Sequence, residues 1–289
     1  MSNFFLLLYI HAMSLGSSSL QEKHQSLKKI LVPKVREGLL IAFSGGVDSA
    51  ALLFAANEVR KEAGGKLLAL TAISPSVSAN EKEDVLEFIK KIDVPHVSVD
   101  SLELDNEQYK KNDSNRCYHC KTELFRLCEL EARKNKLKWT AYGYTLSDVG
   151  DHRPGHQAAL ENKVLFPLYE AEFTKNDVRL LLKVNDFHLS EKPASPCLSS
   201  RIMTGVPVSK ERLQAVEQME NILRKNGVRI FRVRLHEDKG KKFFRIETNN
   251  EGFEQVIEIR EQLSHQAKSL GVEWVTLDLS GYKMGGGLA

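Results

Sequence analysis

Five apolar residues, Leu39 to Phe43, stand together without polar alternation. The chain then breaks into Ser44-Gly45-Gly46-Val47-Asp48-Ser49 and resumes an apolar run from Ala50 to Ala56. A short apolar run that lacks a two-residue alternation fits a parallel strand covered on both faces. The pattern predicts strand, tight turn and helix, the helix running from Ser49 to Ala63 and closed by Gly64-Gly65. Upstream, Leu20 to Val35 is amphipathic. Downstream, Lys66 to Ile73 and His96 to Val99 read as strands, with a charged helix from Glu81 to Ile92 between them, capped by Asn80. Residues 101–115 are polar and irregular. A helix from about Tyr118 to Lys136, a strand from Trp139 to Tyr142 and a loop rich in Gly, Asp, Arg and Pro between Gly143 and Gly155 follow.

Strands alternating with helices at this spacing predict an α/β fold, a parallel sheet wound with helices, whose ligands bind at the carboxyl ends of the strands. After the proline-bearing stretch Glu191 to Pro207 the order changes. Helix (Ser209 to Asn226), strand (Val228 to Leu235), strand (Phe243 to Thr248), helix (Gly252 to Leu270) and strand (Glu273 to Leu279) predict a small C-terminal α+β domain. The expected division is a loosely held tail over 1–19, a nucleotide-loop domain over 20–195, and 196–289 comprising a linker with Cys197 and the α+β domain.

Hydrophobic residues make up 42% of the 289, enough for a sizeable core. A net charge of +3 is mildly basic and does not call for nucleic acid as an obligatory partner. The apolar stretch Phe4 to Ile10 has no basic residue before it and falls well short of the ~20 residues that span a bilayer. A cytoplasmic protein without a membrane partner is expected. The four cysteines are unevenly spaced, which favours thiols, metal ligands or reactive groups over a disulfide framework.

Gly45 and Gly46 permit close backbone approach, so the N–H groups at the helix start can converge on an anion, and phosphate is the obvious guest. The loop lacks the spacer and Gly-Lys-Ser/Thr ending of a Walker loop. Asp48 beside a phosphate implies Mg²⁺ between them. The plainer reading is a helix capped by Ser44 or Asp48.

Cys117-Tyr118-His119-Cys120 opens a helix, and Cys197 lies in Pro196-Cys197-Leu198-Ser199-Ser200-Arg201. Three thiols are one short of a closed zinc site. They would hold three irons of a [4Fe-4S] cluster and leave the fourth open. The alternative is an inert or redox-active dithiol with an ordinary linker cysteine. The helix start is expected to make Cys117 and Cys120 partly thiolate, and Arg201 to supply a positive field at Cys197. Cys128, among Leu124, Leu127 and Leu130, reads as core. Arg232 and Arg234 share one strand face and suit a phosphate or carboxylate, or else a solvated sheet face, with Glu220 and Glu247 able to oppose them. His152 and His156 are four apart, but Pro154 breaks a helical face between them, so they are not read as metal ligands.

Ser44 to Ser49 resembles the pyrophosphate loop of the N-type ATP pyrophosphatases. Further on come Gly150-Asp151-His152-Arg153-Pro154-Gly155, Pro196 to Arg201, Arg232-Val233-Arg234, Arg245-Ile246-Glu247 and Val275 to Tyr282. In this order they resemble the LarE family, the ATP-dependent sulfur transferases of nickel-pincer cofactor synthesis, over residues 20–285. The resemblance implies an adenine nucleotide alpha hydrolase-like fold, with ATP at Ser44, Gly45, Gly46, Val47, Asp48 and Ser49 and Mg²⁺ at Asp48. It puts substrate phosphate at Arg232 and Arg234, lined by Glu220 and Glu247, and Arg201 beside Cys197. It implies adenylylation of a carboxylate of pyridinium-3,5-biscarboxylic acid mononucleotide, followed by sulfur transfer. The sulfur comes either from a sacrificed Cys197 or from sulfide on a [4Fe-4S] cluster held by Cys117, Cys120 and Cys197. It also implies a homo-oligomer. Rival readings are a PP-loop tRNA thiolation enzyme and a nucleotide-binding regulator. Where the family has Gly-Thr-Asn-x-Asp-Asp this chain has Gly143-Tyr144-Thr145-Leu146-Ser147-Asp148, and the turn between Arg234 and Arg245 is longer and more basic.

Overall fold

The structure, a computed structural model, describes residues 2–150, 154–193 and 196–283, with side chains from residue 19 onward. Two compact units emerge, and a single cut near residue 195 does not separate them. One comprises Met1–Ala72, Asn80–Asp100 and Leu124–Ala194; the other Ile73–Ala79, Ser101–Glu123 and Ser195–Ala289. The polar stretch 101–123 joins the second unit because it carries apolar anchors: Tyr109 is buried in that unit's core, with Leu104 and Cys120 packed against it.

In the first unit four strands, β1 (Leu39–Ala42), β2 (Leu67–Ile73), β3 (His96–Asp100) and β4 (Trp139–Tyr142), form a sheet in the order β3-β2-β1-β4. β1 pairs in parallel with β2 and β4. Every residue of β1 is buried, because both faces are covered. Leu39, Ile41 and Phe43 pack into one core with the helix Val47–Ala63, while Leu40 and Ala42 face the other with Leu70, Cys128 and Ala132. Cys128 is core, as its leucine neighbours predicted. The helix Ser2–Glu37 includes the stretch expected as a tail, and its backbone is helical from Ser2. The helix Ala79–Ile92 begins before Asn80, which therefore does not cap it. The chain builds β1 to β3 in one direction and then crosses to β4, so the strand order reverses beside β1. Such a switch point opens a crevice at the carboxyl ends of the strands.

The second unit has a three-stranded sheet of β5 (Phe231–Asp238), β6 (Lys241–Thr248) and β7 (Trp274–Leu277). β5 and β6 are antiparallel across Lys239-Gly240, both at positive φ (49° and 82°), as a two-residue hairpin of this hand requires. β6 and β7 are parallel. Val233, Leu235, Phe244 and Ile246 pack on Leu213, Val216, Met219 and Leu223 of the helix Lys210–Lys225. The predicted strand from Val228 is displaced: it runs from Phe231 to Asp238, and Val228 is instead a core residue after the Gly227 turn. The single helix expected from Gly252 to Leu270 is two, Asn250–Glu258 and Arg260–Ser269, parted at Ile259. Among the described residues, no helix is long and apolar enough to cross a membrane.

Candidate active site

The helix after β1 starts at Val47, with extended Gly46 as its N-cap and no side chain bonded to the cap position. Neither Ser44 nor Asp48 acts as a cap, so the plainer reading of this loop fails. The hydroxyls brace the loop instead. Ser49 Oγ donates to Gly46 O (3.0 Å) and lies 3.2 Å from Ser44 Oγ, which accepts from Gly46 N–H at 3.4 Å. Gly45 adopts φ +71°, and a Cβ there would come 2.7 Å from Val85 Cγ2. The helix start, next to the switch point, has no side-chain cap hydrogen bond at Gly46, the arrangement in which backbone N–H groups can receive an anion.

Two lysines flank it. Lys175 pairs with Asp48 and lies 3.4 Å from Asp148. Lys192 donates to Gly45 O (3.2 Å) and pairs with Asp84 at 2.7 Å. A carboxylate set in an anion site thus keeps cationic company, the environment in which Mg²⁺ and phosphates fit Asp48. The divergent Gly143 to Asp148 loop touches this site directly. A Cβ on Gly143 would sit 2.7 Å from Ser49 N and 2.8 Å from Asp48 C. Asp148 is buried and accepts from Thr145 N–H and Thr145 Oγ1–H, both at 2.9 Å. His156 stacks on Tyr144 at 4.3 Å, and burial lowers its pKa against the opposing pull of Asp148. His152 and its neighbours Asp151 and Arg153 lie outside the described residues.

All three candidate cysteines fall in the second unit. The helix Arg116–Lys134 begins two residues earlier than predicted, putting Cys117 in its first turn and Cys120 at the start of its second. Arg116 joins them to the Cys197 loop: it bonds Cys117, donates to Ser199 O at 2.7 Å and also to Asn112 Oδ1. Asn112, buried and at φ +55°, has its Nδ2 within 2.8–3.1 Å of Ile202 O, Met203 O and Val206 O. Tyr109 OH lies 2.6 Å from Ser199 Oγ and donates to Glu103 Oε1 at 3.2 Å. Buried Glu103 also accepts from Ser74 Oγ (2.7 Å) and Ser76 Oγ (2.5 Å) and bonds Cys120.

The expectation for Cys120 needs correction, whereas Arg201 does supply positive field at Cys197. Burial, reinforced by Glu103, drives the Cys120 thiol well above its ordinary pKa, so the helix start does not make it partly thiolate. Burial also raises Cys197, and the principal cation opposing that rise is Arg116, ahead of Arg201. Among the described residues, no three His, Cys, Asp or Glu side chains form a group able to hold a metal ion.

Arg201 is buried and bonded to the cysteine loop and to Glu220. Its Nε donates to Glu220 Oε1 at 3.0 Å, and Nη1 to Cys197 O and Ser200 Oγ, both at 3.1 Å, and to Pro196 O. It therefore shapes the cysteine loop through the backbone. Arg234 makes a two-pronged pair with Glu247 (3.1 and 3.0 Å) and donates to Ser200 O at 2.9 Å. Arg245 reaches Glu247 and Asp278, each at 3.0 Å. Arg234, Glu220 and Glu247 are all buried, which excludes a merely solvated face. Arg232, half-buried on the same face, lies 5.0 Å from the Tyr282 ring. Burial, then Arg201, pushes its pKa down, so an incoming anion would relieve that crowding.

Lys175, Lys192, Arg116, Glu103, Tyr109 and Asn112 went unread in the sequence. Lys175 alone had a local signal. Thr174 and Asp177 form a capping box that starts the helix Lys175–Val184, and a lysine at a helix N-terminus opposes the dipole.

A PP-loop domain family matches residues 19–124. Over 85% of its length the chain is 36% identical to an uncharacterized protein of Synechocystis sp., covering 90% of that protein. It is 29% identical, over 85% of its length and 87% of the relative, to the pyridinium-3,5-bisthiocarboxylic acid mononucleotide synthase of Lactiplantibacillus plantarum. It is 24% identical to an uncharacterized protein of Methanocaldococcus jannaschii, over 85% and 90%. The uncapped phosphate loop at the switch point has the matched family's character, and the relationship extends well past that domain. The chain belongs to the LarE family, the ATP-dependent sulfur transferases of the PP-loop class.

Proposed function

We propose that this enzyme adenylylates a carboxylate of pyridinium-3,5-biscarboxylic acid mononucleotide in the cytoplasm and converts it to a thiocarboxylate. Three cysteines, rather than one sacrificed thiol, serve the sulfur step. The observation that carries this is the gathering of Cys117, Cys120 and Cys197 into one unit, tied together by Arg116 and by the Glu103–Tyr109–Ser199 chain. The 29% identical synthase supports the substrate.

A carboxylate does not yield to a sulfur nucleophile directly, because the departing group would be oxide. Its oxygen attacks the α-phosphorus of ATP, pyrophosphate leaves, and the acyl adenylate then loses AMP to sulfur. The N–H groups of residues 45–49 bind the phosphates, and Asp48 would hold Mg²⁺ against them. Lys192, on Gly45 O, adds positive charge to the loop. Arg232 receives the substrate's phosphate, while Arg234, fixed by Glu247, holds that face in place. Arg201 and Glu220 shape the backbone around Cys197.

We assign the three thiols to a [4Fe-4S] cluster rather than to zinc, because three cysteines are one short of a closed tetrahedral zinc site, whereas such a cluster can take one thiol on each of three irons and leave the fourth open. Such a cluster on Cys117, Cys120 and Cys197 leaves one iron without a protein ligand, where sulfide would be presented. Arg116 offsets the negative charge that metallated thiolates bring into a buried place. Anaerobic reconstitution with iron and sulfide should give a broad cluster absorbance that Cys117→Ala or Cys120→Ala removes. Sulfur transfer by iron-free protein, with Cys197 losing the mass of H₂S, would overturn the cluster in favour of sacrifice.

A further inference from the structure

We infer that Lys175 is a phosphate-binding residue of the ATP reaction whose ammonium competes with the divalent ion for Asp48, so that entry of the metal hands Lys175 to the polyphosphate. This rests on the reading of Asp48 as the metal carboxylate.

Lys175 touches two carboxylates from separate elements: Asp48, in the first turn after the phosphate loop, and Asp148, in the loop after β4. Gly143 presses that loop onto the backbone of Asp48 and Ser49, so the two acids are held to one place by main-chain contact. Of the three groups, the lysine is the most exposed and has the longest, most flexible side chain. Asp148 is 2% exposed and fastened to Thr145 by two hydrogen bonds, and Asp48 belongs to the helix. Lys175 has a side chain 40% exposed on a flexible four-carbon stem.

Its position also runs against local preference. Lys175 is the first residue of its helix, where the macrodipole disfavours a cation, and its backbone N–H is held by Ser147 Oγ at 3.1 Å. A cation placed there at a local disadvantage serves the two acids and the phosphate loop beside it. A dication on Asp48 repels the ammonium, and the phosphates that accompany it attract the same group. Lys175 thus neutralises Asp48 and Asp148 until the metal arrives and then becomes a donor to the nucleotide.

The test uses Mn²⁺ alone as probe, followed by paramagnetic resonance on the full chain. Lys175→Met should bind Mn²⁺ at least about tenfold more tightly than the parent, and adding Asp48→Asn should abolish the gain. Pyrophosphate release should fall by about a hundredfold or more in Lys175→Met and recover in part in Lys175→Arg. Unchanged Mn²⁺ affinity in Lys175→Met, or a gain that survives Asp48→Asn, overturns the inference. Should Lys175→Met not fold because Asp148 is left uncompensated, Lys175→Met with Asp148→Asn makes the same comparison. Failure of the parent to release pyrophosphate with the pyridinium substrate would strike the proposed function and leave the Mn²⁺ comparison standing.

Discussion

Replacing Gly143 by alanine adds one methyl group at the junction of β4 and the phosphate loop. That Cβ would stand 2.7 Å from Ser49 N, 2.8 Å from Asp48 C and 2.9 Å from Asp48 Cβ. Two of these neighbours are backbone, so no rotamer change relieves the overlap and the loop itself must move. Overpacking of this kind costs about 1–3 kcal/mol. Expressed at the nucleotide site, that is roughly a 5- to 160-fold loss of ATP affinity, at about 1.36 kcal/mol per decade. Titration calorimetry with Mg²⁺ and a non-hydrolysable ATP analogue reads the loss, and urea unfolding reads any part expressed as global stability. The cysteines lie in the other unit, so cluster reconstitution should be unchanged. Gly143→Ala protein that matched the parent in both nucleotide affinity and urea midpoint would refute the packing argument.

Glu247→Gln leaves the buried Arg234 and the neighbouring Arg245 without their shared carboxylate, and should cost about 3–5 kcal/mol in urea unfolding. His236, pushed down to about 4 by burial and then by Arg245, is neutral in the native state. The unfolded chain takes up a proton below about pH 6.5 that the native state refuses, so this stability is complete above pH 6.5 and lost as pH falls towards 4. Because the ring is only half-buried, about 1–2 kcal/mol is expected after screening, and His236→Gln should flatten that acid slope. Cys197→Ala should stop sulfur transfer while AMP and pyrophosphate formation persists, assayed separately; full sulfur transfer in that variant would exclude both sulfur routes.

The α/β architecture and the phosphate loop were legible because they depend on local pattern: an unbroken apolar run for a doubly covered strand, and glycines where backbone meets an anion. The arginines of β5 were legible by alternation, and the burial of Arg234 against Glu247 could be anticipated only as one option. The domain division was not legible. Residues 101–115 look like a polar connection, yet Tyr109 and Asn112 within them are buried anchors, and what they anchor to lies some ninety residues away. Arg116 escaped notice for the same reason: its partner carbonyl belongs to Ser199. The thiol chemistry of Cys120 is not legible in sequence, because a helix start is a local feature whereas burial beside Glu103 is a tertiary fact that outweighs it. The Gly143 to Asp148 loop, which departs from the family pattern, retains a glycine that packs on the phosphate loop and an aspartate that pairs with Lys175.

Mass spectrometry of product and protein after one anaerobic turnover separates cluster-borne sulfide from a sacrificed Cys197. The reconstituted enzyme is given ATP, Mg²⁺, sulfide and pyridinium-3,5-biscarboxylic acid mononucleotide. The expected result is a product heavier by the exchange of one oxygen for sulfur, AMP in equal amount, and Cys197 at its full mass. A product of unchanged mass with no AMP formed would contradict the assigned reaction.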